Sequence, residues 1–495
     1  MIYAVILPLA VFIGWMVAGD MTRTSFAVLA LCIFVLLLPA LLKWHYPIML
    51  FSWSSFITIF FLPGKPAFWM LMAGISFGIA ILNRILQKRQ AFLPAPSITI
   101  TLIALTLVVV VTGQLRGGFG TSALGSASYG GKAYYSIIAA VIGYFALVSR
   151  PIVLENARRY IGLFFLPGLI GVASNLIYFA GPAFYFLFLI VPSGFASGQA
   201  ATEYSSILRV SGFGAGATAI VFYLMAVHGI RGLLQKWWRV PLVLIAIGFG
   251  MMGGFRSLLV MIGLTVLILF IVEGLVRSPL LPASLLIGAI SFAFLYPLAD
   301  KLPAPMQRTL SFLPLKIDPI VRNDAQGSLE WRFSMWRVLR PELPNYFWLG
   351  KGYSINPTDL YLAQQAMLRY RVPSYEEALL VGNYHSGPLS IYVPFGSLGS
   401  LTFLAFLAVS IRALYLNFRY GREELTIINR FLFSFFCAKT IFFFFFFGAF
   451  STELFLFTGV VGLSVALNKG ICQRTVLAQR AVVFHGPLRD ASATA

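Results

Sequence analysis

Apolar residues run along this chain in stretches of about 20, the length a helix needs to cross a hydrocarbon core, and polar residues interrupt them only briefly. The stretches fall near 2–18, 25–42, 46–62, 67–82, 98–113, 135–148, 161–180, 215–229, 240–254, 257–272, 281–298, 388–411, 431–449 and 452–468. Inside a bilayer each backbone N–H and C=O must find its partner within the segment, so this pattern predicts helices. The expected fold is all-α, a polytopic integral membrane bundle of about 14 transmembrane helices. The 182–192 stretch is open to reading as a further half-helix.

One polar stretch breaks the rhythm. Residues 300–385 form a long loop in which Pro303, Pro305, Pro314 and Pro319 predict an irregular first third. Ser328 is placed to cap a helix running to about Arg340, where Pro341 stops it. On that helix Trp331, Met335, Val338 and Leu339 make an apolar stripe, and Arg332, Trp336 and Arg340, spaced by four, a neighbouring face. A second helix is expected from Thr358 to about Tyr370, and Gly350 and Gly352 mark a tight turn between the two. The chain thus divides into N-terminal transmembrane helices (1–160), central transmembrane helices (161–299), the partly helical loop (300–387), C-terminal transmembrane helices (388–468) and a tail (469–495).

Composition excludes a soluble globule: 59% of the 495 residues are hydrophobic and 11% charged, against about 25% charged in soluble domains. The formal charge of +20 does not indicate nucleic acid, because Lys and Arg sit in short loops between apolar spans instead of on one patch. Their placement is a topology signal. One alternating set of loops holds Lys43, Arg84, Lys88, Arg89, Arg150, Arg158, Arg159, Arg231, Lys236, Arg239, Arg277, Arg419, Arg422, Arg430 and the basic tail. The other short loops hold only Arg23, Lys65, Arg116, Lys132, Arg209 and Arg256. Basic loops are retained on the cytoplasmic side, which puts both termini there and turns the 300–385 loop outward. The opening stretch lacks a basic start and a cleavage site, so it reads as a retained span. The 114–131 segment is a Gly/Ser-rich outward loop, and the phenylalanine run 442–447 needs no more than bulk apolarity to explain it. Cys32, Cys437 and Cys472 have neither disulfide nor metal spacing.

Four histidines are present, and on this topology His45, His228 and His485 are cytoplasmic. His385 is then the outward imidazole, a group suited to take a proton near neutrality, with a cap or interfacial role as the bland alternative. Arg209 and Arg256 sit within a few residues of apolar spans, where a guanidinium either meets an anion such as phosphate or snorkels to headgroups. Arg332, Arg340, Arg369 and Arg371 add outward positive charge; Trp331, Trp336, Trp348 and Tyr353 suit either sugar stacking or a loop core. Lys439, inside an apolar span, reads equally as a functional charge or as the partner of Glu453.

These elements resemble the bacterial O-antigen ligase and O-antigen polymerase family over roughly residues 160–450. The similar motifs are R-V-S-G-F at 209–213, G-F-R-S at 254–257, R-x-x-x-W at 332–336 followed by P-N-Y-F-W-L-G-K-G-Y at 344–353, and H-S-G-P-L at 385–389 leading into G-S-L-G at 396–399. The sequence departs from the family at Ser386, where Asn is common, at Gly214 to Gly216 in place of Pro-Asn, and at Phe255 in place of Ser. The resemblance implies a fold of the glycosyltransferase C kind and a glycosyl transfer at the periplasmic face of a bacterial inner membrane. The donor would be an undecaprenyl-diphosphate-linked glycan and the acceptor a hydroxyl of lipid A-core or of a growing polysaccharide. It carries diphosphate binding onto Arg209, Arg256 and Arg332, the base onto His385, and substrate-loop roles onto Trp336, Gly350 and Gly352, with no cofactor, metal or nucleic acid. A transporter of lipid-linked glycans and an exopolysaccharide assembly scaffold are the rival classes.

Overall fold

The computed structural model describes residues 41–473 except 60–61, 63, 88–91, 121–128, 204–206 and 371–374, with positions 11, 14 and 39 besides. The described residues are mostly helical and form no strands beyond two isolated bridges. Eight helices are long and apolar enough to cross a membrane: Phe68–Leu86, Pro96–Leu115, Leu154–Ala180, Ser211–Leu234, Leu280–Lys301, Gly387–Tyr420, Glu423–Phe445 and Phe450–Asn468. Three shorter apolar helices, Gly131–Leu147, Arg239–Met251 and Arg256–Val272, lie between them. The 2–18 and 25–42 stretches fall almost wholly outside the described residues, as does His485. The 46–62 stretch is helical only through 52, then turns back. The 182–192 stretch becomes a 3-10 helix, Pro182–Leu189, before a short α-helix, Gly194–Glu203.

Helices in lipid gain nothing from hydrophobic exclusion against one another, so close packing at small residues must hold them. Trp53 illustrates this: its fully buried ring lies between Gly143 and Gly459, where an added Cβ would come within 2.5 and 2.2 Å of it. Its indole N–H donates to the Phe455 carbonyl at 2.9 Å.

Successive helices alternate direction, and each end of the bundle is tied separately. At one end Asn429 bonds Asn468 and the Asn417 carbonyl, Asn417 accepts from the Cys472 N–H, and Glu273 accepts from Ile230 N–H at 2.8 Å. At the other end Tyr353 N–H donates to the Tyr134 hydroxyl at 2.9 Å, Val210 N–H to the Met252 carbonyl at 3.1 Å, and Phe450 N–H to the Ser390 hydroxyl at 2.9 Å. Arg209, Arg256 and His385 all belong to this second end; His45 and His228 belong to the first.

The long helix Gly387–Tyr420 is broken at Gly396, whose φ of +65 and ψ of −161 follow Pro394. In an intact helix Ser397 and Leu398 would donate to the Val393 and Pro394 carbonyls. Instead Ser397 N–H bonds the Phe347 carbonyl at 2.8 Å and Leu398 N–H the Trp348 carbonyl at 3.5 Å. The carbonyls of Val393 and Pro394 accept from Lys351 and Gly352 N–H at 2.9 and 3.0 Å. The loop therefore re-pairs these four groups. Gly350 passes between them, and a Cβ there would sit 2.0 Å from the Pro394 carbonyl carbon.

Within the loop the main helix starts nine residues earlier than Ser328. It runs Pro319–Leu339, capped by Asp318, whose carboxylate accepts from Ile320 N–H at 2.7 Å, with Pro319 in the first turn. Proline there removes an N–H that has no helical partner anyway, so it opens the helix instead of preventing it. A further short helix, Ala304–Thr309, also interrupts the expected irregular third. The buried stripe is Val321, Ala325, Met335 and Leu339 with half-buried Ser328 and Arg332 between; Val338 is 45% exposed and lies off it. The second loop helix is Pro357–Tyr370.

Candidate functional site

Three backbone features bring the arginines to one place. Arg209 precedes the Ser211–Leu234 helix, Arg256 opens the Arg256–Val272 helix, and Gly254 lies between Arg209 and Arg308. With φ at +69, Gly254 presents its carbonyl to Arg308; a Cβ would stand 3.3 Å from the Arg209 side chain. The Pro319–Leu339 helix then docks through its first half. Asp324 accepts from Arg209 with both oxygens, at 3.2 and 3.1 Å, and from Arg308 in a second ion pair. Ala325 offers its carbonyl to Arg256 at 3.1 Å.

The charge balance is uneven. Arg256 lies in the field of Arg308, Arg332 and Arg209 and, among the described residues, of one carboxylate, Asp324. Burial and then Arg308 disfavour the charged form of Arg209, and Asp324 opposes them. Arg332 feels the same burial and the same Arg308, and makes no hydrogen bond or ion pair among the described residues. Its guanidinium stands 5.8 Å from the Phe447 ring. A half-buried guanidinium with only an aromatic face beside it is costly unless an anion joins it.

His385 shares that ring. Its imidazole lies 5.4 Å from Phe447 and 5.4 Å, edge to face, from Trp331. Nδ1 is buried without a hydrogen bond among the described residues. Burial first, then Arg332, hold the imidazole below its ordinary pKa, which keeps it a free base at neutral pH. The residue has φ of +50, a left-handed conformation uncommon outside glycine. Trp336 fixes the approach: its indole N–H donates to the carbonyl of Tyr384, the residue before, at 2.8 Å.

Of the residues singled out in the sequence, Arg209, Arg256 and Arg332 thus enter one cluster, with His385 joined to it through Arg332 and Phe447, and Trp336 behind His385. Gly350 and Gly352 fall at the broken helix, with Gly352 against Tyr134. Lys439 pairs with Glu453 at 2.6 Å, within the bundle. Arg308, Asp324 and Phe447 were not legible as members: Asp324 lies 115 positions from Arg209, and Phe447 belongs to a run that apolarity alone explains. Among the described residues no group of three or more His, Cys, Asp or Glu is placed to hold a metal ion.

The fold defines a multi-pass helical membrane protein with a basic cluster at one end of its bundle. Neither the family models nor the curated proteins give a match to the chain.

Proposed function

We propose that this chain is a membrane glycosyltransferase of the O-antigen ligase and polymerase type, which moves a glycan from undecaprenyl diphosphate to an acceptor hydroxyl at the periplasmic face of a bacterial inner membrane. The observation that carries the reading is that, among the described residues, Arg209, Arg256, Arg308 and Arg332 cluster around Asp324, adjoined by an imidazole held in its basic form. Arg256 and Arg332 hold the diphosphate, and Asp324 aligns Arg209 beside them. His385 takes the acceptor proton as the acceptor oxygen bonds to the anomeric carbon and the glycosyl–phosphate bond breaks. The electron pair of that bond leaves with undecaprenyl diphosphate, whose growing charge the arginines stabilise. The lipid diphosphate is already an activated leaving group, so transfer runs without nucleotide.

The test is transfer by the purified chain in lipid, given an undecaprenyl-diphosphate glycan and lipid A-core or glycan acceptor, with no ATP. Transfer product is expected, and His385→Ala lowers turnover by about 10²–10⁴-fold, the usual share of a general base. Undiminished turnover in that variant removes His385 from the mechanism, and translocation of the glycan lipid without transfer replaces the reading by a transporter.

A further inference from the structure

A groove of about 550 Å³ runs along the span Leu154–Ala180, from Arg158 to Ile170. Its size falls within the roughly 300–1,000 Å³ of ligand sites. Phe51, Leu163, Leu166, Leu169 and Ile170 give it an apolar floor, and Arg158, Arg159 and Tyr223 bring polar atoms to it. Gly162 lets Tyr223 lie close: a Cβ there would stand 3.3 Å from the ring. Tyr223 belongs to the helix that Arg209 precedes, and that helix is unbroken from Ser211 to the kink at Gly229. At 1.5 Å per residue the polar end of the groove therefore stands about 18 Å along the helix axis from Ser211.

The rim is charged one way. Arg158 and Arg159 are exposed and make no ion pair or side-chain hydrogen bond among the described residues; Glu155, one turn before, stays beyond ion-pair distance. Arg158 acts on His228 together with Arg239 and Lys236. Glu273, which caps the kink next to His228, spends its oxygens on the N–H groups of Ile230 and Arg231. An anion is the partner such a rim lacks, and phosphate oxygens match the planar guanidinium fork. Length decides what carries the anion. From Arg158 to Ile170 the groove spans about 20 Å, at 1.5 Å per α-helical residue and 2.0 Å per residue through the 3-10 turn Leu166–Leu169. That distance holds a headgroup and one leaflet of a hydrocarbon core about 30 Å thick. Free phosphate would leave the apolar floor bare, and a choline headgroup would add a cation to cations.

We propose that this groove binds an anionic phospholipid, its phosphate on Arg158 and Arg159 and one acyl chain along Leu163, Leu166 and Ile170. The site goes beyond the transferase reading and does not depend on it.

Photolabelling tests it with the full-length chain in phosphatidylcholine nanodiscs, doped with a trace of phosphatidylglycerol or phosphatidylcholine carrying the same diazirine-bearing acyl chain. One arginine near a membrane surface favours an anionic lipid about fivefold, so two predict that phosphatidylglycerol labels residues 162–170 roughly 25-fold more than phosphatidylcholine. The label sits on the acyl chain and so reports a lipid, not free phosphate. Arg158→Gln with Arg159→Gln, both at exposed positions that the fold tolerates, brings the ratio of the two lipids close to one. Arg158→Lys with Arg159→Lys, which keeps the charge, retains most of the preference. Equal labelling by the two lipids in the unaltered chain, a ratio unchanged by the double Gln substitution, or no label on 162–170 from either lipid, as when a protein segment fills the groove, overturns the proposal.

Discussion

His385 has its ring beside Phe447 and Trp331 with Nδ1 buried, and Arg332 is the cation that acts on it. Both effects favour the neutral ring, so its folded pKa lies below the ordinary imidazole value of about 6.5. The sign follows directly: a base that must be neutral works above its pKa, so transfer falls on acidification only below about pH 6.5. Arg332→Gln removes the nearby cation, lets the imidazole hold its proton more readily, and moves this acid limb to higher pH in a pH–rate profile. A limb that stays in place would separate Arg332 from His385. Neither effect was legible in residue identities. The outward position of His385 could be read from loop charge, but its depressed pKa needs Phe447 and Trp331 around it, and those contacts link residues 54 to 62 positions apart in sequence.

At the scale of elements, the sequence announced where helices run better than where they meet. The apolar stretches from 67 onward each carry a helix, because in lipid apolar length alone compels one. In the loop, where water can satisfy the backbone, the sequence pattern constrains the helices less. Asp318 before Pro319 is a helix start, yet four nearby prolines predict irregularity; of the predicted stripe Met335 and Leu339 are buried, Val338 is exposed, and Val321 and Ala325 extend it toward the N-terminus. The turn at Gly350 and Gly352 was visible; its partner, the helix broken at Gly396, was not. Four hydrogen bonds join them, each contributing about 0.5–1.5 kcal/mol. Gly350→Ala drives a methyl into the Pro394 backbone and separates the two segments. Limited proteolysis is the readout: cleavage within 300–387 accelerates in the variant, and an unchanged rate would mean that the contact does not hold the loop.

For the whole molecule, loop charge and helix alternation tell the same story about ends. The basic residues Arg150, Arg231, Arg277 and Arg422 share the end tied by Asn417, Asn429 and Glu273, and the arginine cluster occupies the other. The positive-inside preference then predicts that the cluster faces away from the cytoplasm. With the three native cysteines replaced by alanine, Arg340→Cys should react with an impermeant maleimide on intact cells, and Glu424→Cys only after permeabilisation. The opposite pattern would invert the molecule. The transferase reading requires Arg209, Arg256 and His385 to meet, which no single stretch of sequence could establish: Gly254, Arg308 and Asp324 hold the segments of the two arginines together, and Arg332 lies between Arg256 and His385. The most direct measurement is the affinity of the purified chain in lipid for undecaprenyl diphosphate, compared with Arg256→Gln and Arg332→Gln. Loss of charge-assisted hydrogen bonds predicts about 10- to 150-fold weaker binding in each variant; binding at unaltered affinity in both would contradict the account.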